Sequence, residues 1–369
     1  MGQILYSMSG EGRGHATRAR TVVEELRVAH EVVLFAPGCA FEMLDPIYRD
    51  TDVRVYRIPG LEFCYDAHRR LDYLQTGLSS ASYLTDLVYL VDQLSRAVDI
   101  EEPDLVITDF EPALPRAARR CGVPFISLDH QHFLAVTDLS ELPREVRMHA
   151  ALMRSVVRMY YWGQDETIIS SFYSAPLLPR YRHRVRQVGV LLRPEVLRAR
   201  PRSGRHLLAY VRRFGAEPLL ESLAACDRPV RVYGLGEQTS RGNLTFRPIS
   251  NDGFIQDLAS CDGLVCTAGN QLVGEALYLG KPVLAFPEEN NYEQAINGFF
   301  LDRDGGGECH ELAEIDARAV GRFIERIPDH RARIRPERLC GNRDVLELLG
   351  EHLPPPRWMP PVAGAAAFA

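Results

Sequence analysis

Short apolar runs alternate along the chain with stretches whose apolar positions recur at helical spacing. Gln3–Ser7 reads as a strand, and after a Gly-rich turn Ala19, Val22, Val23 and Leu26 recur at i, i+3, i+4 and i+7, one buried helix face. Further strands are expected at Glu31–Ala36, Val53–Ile58, Asp104–Thr108 and Val123–Leu128, with helices at about Ser80–Val98 and Pro143–Tyr160. From Tyr181 to Arg205 the chain turns Arg- and Pro-rich and reads as an interdomain connection. A second series follows, with strands at His206–Val211, Pro229–Gly234, Leu244–Pro248, Gly263–Thr267 and Pro282–Phe286. Its helices begin near Ala216, Asp252, Gln271 and Asn291, and two more span Asp316–Ile327 and Arg343–His352.

Repeated strand–helix units imply largely parallel sheets. A single core stops growing at roughly 250–300 residues, so a 369-residue chain is expected to divide. The expected fold class is α/β, two Rossmann-like domains facing across a cleft: residues 1–192, a connector at 193–204, residues 205–353, and a loose tail at 354–369.

Composition narrows the function. The chain is 46% hydrophobic and 25% charged, with 43 basic against 49 acidic side chains and a net charge of −6, which excludes a global nucleic-acid binder. Lys281 is its sole lysine, a bias that GC-rich codon usage explains. The eight cysteines are scattered without a C-x-x-C pair and read as reduced, mostly buried small hydrophobes. The start has no signal-peptide pattern and no run approaches the roughly 20 apolar residues that span a bilayer, so a cytoplasmic location is expected. The stretch after Pro143 sets Arg144, Arg147, Arg154 and Arg158 among Met148, Leu152, Met153 and Val157. It reads either as a core helix with a solvated basic face or as a surface that meets anionic lipid headgroups at the inner face of a membrane.

Three motifs carry candidate chemistry. After the first strand, Gly10-Glu11-Gly12-Arg13-Gly14-His15 has the spacing G-x-G-x-G rather than the dinucleotide G-x-G-x-x-G. Ala36-Pro37-Gly38 stands where a dinucleotide site would have an acidic residue. The turn delivers His15 to the cleft, and Asp109, ending the apolar strand before it, is placed at the same sheet edge to fix the imidazole tautomer. The second motif runs from Cys266-Thr267-Ala268-Gly269-Asn270-Gln271 to Glu275 and on to Gly280-Lys281-Pro282. There a buried strand ends in a small-residue turn and opens a helix whose first-turn N–H groups can cradle a diphosphate. The third, Pro287 to Asn297, brings Glu293 and Gln294, which suit sugar hydroxyls. A further segment, Asp129-His130-Gln131-His132-Phe133, suggests either a metal pair, for which no second cluster completes a ligand set, or acceptor contacts.

In these motifs the chain resembles the inverting GT-B glycosyltransferases, near the plant and antibiotic UDP-sugar transferases and the N-acetylglucosaminyltransferase of peptidoglycan synthesis. The likeness covers the whole chain at fold level and is specific from Leu244 to Leu301. The resemblance implies that Gly269, Asn270 and Gln271 hold the donor diphosphate, Glu275 the ribose, and Glu293 and Gln294 the sugar hydroxyls. It also implies that His15 deprotonates the acceptor, oriented by Asp109. Gly12, Arg13 and Gly14 of the same turn, and His130 and His132, are candidates for the acceptor side. The expected partners are a nucleotide-sugar donor, UDP-linked by resemblance, and a hydroxyl acceptor, either lipid-linked or a small molecule; no metal or other cofactor and no nucleic acid are expected. Thr267 departs from the His that opens many donor motifs, and it occupies the position where retaining enzymes carry Glu. Arg212, with Arg213, is a further candidate for the phosphates. A nucleotide-sugar 2-epimerase and a non-catalytic nucleotide-sugar-binding protein remain alternatives within the same fold.

Overall fold

The computed structural model describes residues 1–10, 12–61, 73–160, 163–211, 216–248 and 250–355. The first half runs β1 (Gln3–Met8), α1 (Gly12–Leu26), β2 (Glu31–Ala36), α2 (Gly38–Tyr48), β3 (Arg54–Arg57), α3 (Tyr73–Glu101), β4 (Leu105–Asp109), α4 (Ala113–Cys121), β5 (Phe125–Asp129), α5 (Phe133–Val136), α6 (Arg144–Tyr160), β6 (Glu166–Ser170) and β7 (Val185–Val188). After α7 (Pro194–Arg198) the second half follows: β8 (Leu207–Tyr210), α8 (Ala216–Ala224), β9 (Val230–Tyr233), β10 (Leu244–Phe246), α9 (Asn251–Ser260), β11 (Gly263–Thr267), α10 (Asn270–Tyr278), β12 (Val283–Phe286), α11 (Tyr292–Asp304) and β13 (Gly307–Cys309). Helices α12 (Ala317–Arg333) and α13 (Asn342–Gly350) close the chain.

Two parallel sheets result, ordered β3-β2-β1-β4-β5-β6-β7 and β10-β9-β8-β11-β12-β13. Strands β4, β5 and β11 are buried at every position, because helices cover both faces of each sheet and no face is left for polar alternation. The first sheet packs α1 and α2 through Ala19, Val22, Val23 and Leu44 on one face, and α3 and α4 through Leu90, Leu94 and Leu114 on the other. In each sheet the strand order reverses beside the first strand of the half, at β1/β4 and at β8/β11. These switch points open a crevice at the carboxyl ends of the strands, where open α/β sheets bind ligands.

Several elements differ from expectation. β6 was not foreseen: it is a fully buried central strand that begins with Glu166, whose carboxylate is paired with Arg186 at 3.3 Å and His352 at 3.5 Å. β7 lies inside the stretch read as a connector, since only Val185 and Val188 of its four residues are buried and the intervening positions are Arg and Gln. α13 falls within the span assigned to the second half, yet Val345 and Leu349 enter the core beneath β1 and α1. The chain crosses back where Gly341 N–H donates to the Val190 carbonyl at 3.0 Å. A Cβ on Gly341 would lie 2.2 Å from the Gly189 carbonyl oxygen, so this crossing requires glycine.

One apolar cluster joins the halves, with Phe133, Tyr173 and Val190 from the first and Cys266, Val273 and Phe300 from the second. The cysteines are less uniformly buried than expected: Cys261 and Cys266 are buried, Cys39 is exposed, and Cys121, Cys226, Cys309 and Cys340 lie between. Cys64 and the tail from residue 356 lie outside the described residues.

Candidate active site

At the first switch point the register of β1 and β4 sets Met8 opposite Asp109. The Ser9 N–H donates to the Asp109 carbonyl at 2.9 Å, which holds the end of β1 against the end of β4. The Gly-rich stretch does not form a loop ahead of the helix. Gly12, Arg13 and Gly14 make the first turn of α1, with Arg13 exposed, and His15 follows in the helix. His15 Nδ1 lies 2.8 Å from Asp109 Oδ1, the expected pairing, with His15 7% exposed and Asp109 fully buried. Among the described residues nothing bonds His15 Nε2.

Arg18 is the residue sequence reasoning missed. Its Nε donates to Asp109 Oδ2 at 2.7 Å and its Nη2 to Oδ1 at 2.8 Å. Burial opposes the guanidinium charge, and the Asp109 carboxylate outweighs it and raises the pKa above the ordinary range of arginine. The signal was present, since Arg18 stands three residues after His15 and shares its helix face. Phe110, directly after Asp109, has φ 55°, a left-handed conformation costly for a bulky residue and of the kind that clusters at functional turns.

On the opposite side, β11 ends at Thr267 and Gly269 stands before α10 without a side-chain cap. The first-turn amides of Asn270, Gln271 and Leu272 have no partner among the described residues, and a Cβ on Gly269 would meet nothing within 4 Å. This is an open helix N-terminus of the kind that takes an anion. The side chains expected beside it are engaged elsewhere. Asn270 Nδ2 donates to the Ser170 carbonyl at 3.0 Å, and its Oδ1 accepts from the Phe172 N–H at 3.2 Å. Gln271 Nε2 donates to the Leu191 carbonyl at 2.8 Å. Glu275, 1% exposed, accepts Arg193 Nε at 2.9 Å and Nη2 at 2.6 Å, so a ribose contact at this carboxylate requires that ion pair to open. Arg212 lies outside the described residues.

The third motif divides. Glu293 faces the first half, accepting Gln131 Nε2 at 3.2 Å, while Gln294 folds back to donate to Glu288 Oε2 at 3.0 Å. The two histidines after β5 also part. His132 donates through Nδ1 to Asp129 at 2.7 Å and is buried in that pair. His130 reaches across to α11, its Nε2 lying 3.0 Å from Asn297 Oδ1, and burial holds its pKa below the ordinary imidazole value. Asn297, also missed from sequence, accepts the Tyr173 hydroxyl at 3.1 Å and donates to the Ala268 carbonyl at 3.0 Å, which ties the donor turn to the first half. Among the described residues no three His, Cys, Asp or Glu side chains gather as a metal ligand set.

Comparison with known proteins shows the family and the fold. Residues 2–328 match the family described as glycosyl transferase family 1. An uncharacterized glycosyltransferase of Methanosarcina mazei is 22% identical over 341 residues, covering 83% of this chain and 84% of its own. Among solved structures, the calicheamicin glycosyltransferase CalG4 superposes with a TM-score of 0.67 at 15% identity, over 95% of this chain and 98% of that one. Arabidopsis thaliana UGT89C1 in complex with UDP gives 0.63 at 15% identity, over 95% and 100%. Both share the two-sheet fold described above, and with the family match over most of its length the chain belongs to glycosyl transferase family 1, a glycosyltransferase of the GT-B fold.

Proposed function

We propose that this glycosyltransferase moves a hexosyl or N-acetylhexosaminyl group from a UDP-type donor to an acceptor hydroxyl, with inversion and without a metal. The observation that carries the reading is the pairing of His15 with Asp109 at 2.8 Å on the crevice of the first half. With Nδ1–H donated to the carboxylate, Nε2 bears the lone pair and is the general base. The acceptor O–H gives its proton to Nε2 while the oxygen attacks the anomeric carbon. The bond from that carbon to the diphosphate oxygen breaks, and the nucleoside diphosphate leaves with the electron pair. Asp109 stabilises the imidazolium, and Arg18 keeps the carboxylate in place.

The open amides at the start of α10 would meet the charge that develops on the departing diphosphate, the task a metal performs in other transferases. Thr267, where a retaining enzyme would carry Glu, supports inversion. A UDP complex of a protein sharing the fold supports the choice of donor.

A thermal-shift series with UDP, dTDP and GDP tests the donor, since a ligand bound only to the native state raises stability by RT ln(1 + [L]/Kd). Stabilisation by UDP is expected, and none by any of the three overturns the reading. Turnover that survives EDTA, with the product anomer opposite to the donor's by NMR, is the expected reaction outcome.

A further inference from the structure

Helix α6 packs on the core through Ala150 and Val157, with Val146 and Met153 half-buried beside them. Wound at about 3.6 residues per turn, it turns Met148 and Leu152 to the opposite side. These two are 63% and 67% exposed, and Val156, one turn further, is 37% exposed. The exposed side of the helix thus carries an apolar strip, with Glu145, Ala151 and Ser155 also exposed on it, where a solvated helix is mostly charged. The arginines flank this line instead of forming it: Arg144, Arg147, Arg154 and Arg158 lie together to one side. Arg158 donates to the Tyr181 hydroxyl at 3.3 Å, and so joins them to Arg180, Arg182 and Arg184 on the following turn. Among the described residues no carboxylate pairs with these arginines. Of the nearby acids, Glu166 pairs with Arg186 and Glu141 with Arg303, while Glu145 in the first turn of α6 is exposed and is the one acid of the helix.

We propose that the outer face of α6 docks on an anionic lipid bilayer. Met148, Leu152 and Val156 would enter the headgroup boundary, and the arginine flank would meet lipid phosphates, the combination an interfacial helix uses. Charge decides between this face and the other exposed apolar pair. Val88 and Tyr89 on α3 are 76% and 67% exposed but stand between Asp86 and Asp92, whereas on α6 the one acid, Glu145, is outnumbered by the exposed Arg144, Arg147 and Arg158. α6 also borders the cleft, because His149 stacks on Tyr292, the residue before Glu293, with ring centroids 3.8 Å apart. Docking would hold the cleft edge at the membrane. Only the consequence that the acceptor hydroxyl is met there rests on the sugar-transfer reading.

Co-sedimentation with phosphatidylcholine vesicles, with and without phosphatidylglycerol, tests the proposal on the full chain. Binding to the anionic vesicles and weakening by salt are expected. The double variant Met148→Glu/Leu152→Glu, at solvent-facing positions, is expected to bind at least about tenfold more weakly. Each of Arg144→Gln, Arg147→Gln and Arg158→Gln is expected to lose about fivefold. Wild-type protein that ignores anionic vesicles overturns the proposal, and so does a double variant that binds them undiminished. A dimer in sedimentation velocity that the double variant dissolves would assign the face to a second copy and also overturn it. The response to UDP in the thermal-shift assay is expected to be the same in these variants as in wild type. Its absence from wild type would strike the sugar-transfer reading and leave vesicle binding to be judged separately.

Discussion

Arg18 grips both carboxylate oxygens of Asp109, Nε on Oδ2 at 2.7 Å and Nη2 on Oδ1 at 2.8 Å, and His15 Nδ1 reaches that same Oδ1 at 2.8 Å. Both carboxylate oxygens are thereby held beside the imidazole. Arg18 is 3% exposed and Asp109 fully buried, so neither charge has water to fall back on.

Arg18→Met would strand the Asp109 charge. Removing one partner of a buried ion pair typically destabilises by about 3–5 kcal/mol, and urea unfolding is expected to show a loss of that order. Arg18→Lys, which keeps a single charged donor, is expected to fall between. A loss under about 1 kcal/mol in Arg18→Met would mean that Asp109 is stabilised by something other than the arginine.

His15→Ala removes the proposed base and leaves the second half untouched. Turnover is expected to fall by about 10²–10⁴-fold while calorimetry shows UDP affinity within about twofold of wild type. Asp109→Asn keeps the shape and loses the charge that favours the Nδ1–H tautomer, so it is expected to lower turnover over a comparable range. Normal turnover in His15→Ala would remove the general-base assignment.

Glu275 separates a structural role from a binding role. Glu275→Ala leaves Arg193 largely buried and unpaired, which is expected to destabilise the unliganded protein by about 3 kcal/mol. The double variant Arg193→Ala/Glu275→Ala removes both charges and is expected to recover most of that stability. Donor affinity is expected to stay weak in both, if the carboxylate takes the ribose hydroxyls once the ion pair opens. A double variant that binds UDP as wild type does would show that Glu275 serves only the join between the halves.

Gly14 reports on the open space beside the first turn of α1, where a Cβ would meet nothing within 4 Å. Gly14→Ala is expected to leave stability unchanged or raise it by about 0.5 kcal/mol, because alanine loses less backbone freedom in a helix. If the acceptor approaches this turn, KM for the acceptor rises while the melting temperature does not fall. An unchanged KM would move the acceptor away from Gly14.

Acid stability is expected to depend on Glu308. Hydrogen bonds from His330 and His310, with the Arg326 charge, pull its carboxyl down from the ordinary glutamate value of 4.5 to about 2. A depressed folded pKa adds stability above the unfolded value and loses it as the pH falls, here between about 4.5 and about 2. Glu308→Gln is expected to flatten that part of the stability profile, by an amount on the order of 2 kcal/mol. Thermal unfolding across this pH range checks it.

Much of the fold was legible because buried parallel strands write themselves as apolar runs. β2 and β11 lie where the pattern puts them, at Glu31–Ala36 and Gly263–Thr267. β7 was hidden because this short edge strand buries only its first and last residues, and Arg186 and Gln187 between its valines look like a linker. The exposed line of α6 was equally hidden: Met148 and Leu152 on the outside and Met153 and Val157 on the inside are the same kind of residue in sequence. Which face looks outward depends on what α5 and α11 cover.

The chain's own residues determined two Rossmann-like halves, a His and an Asp at one sheet edge, and a bare helix N-terminus at the other. Each follows from local rules, since strand and helix periods act over a few residues and parallel topology sends all carboxyl ends to one side. Tertiary structure alone decided the partners. Arg18 on Asp109, Arg193 on Glu275, Asn297 between His130 and Ala268, and α13 laid against α1 are all set by packing. A buried polar group must find its hydrogen bonds wherever the fold brings them, and with one chain that position is a property of the whole packed molecule.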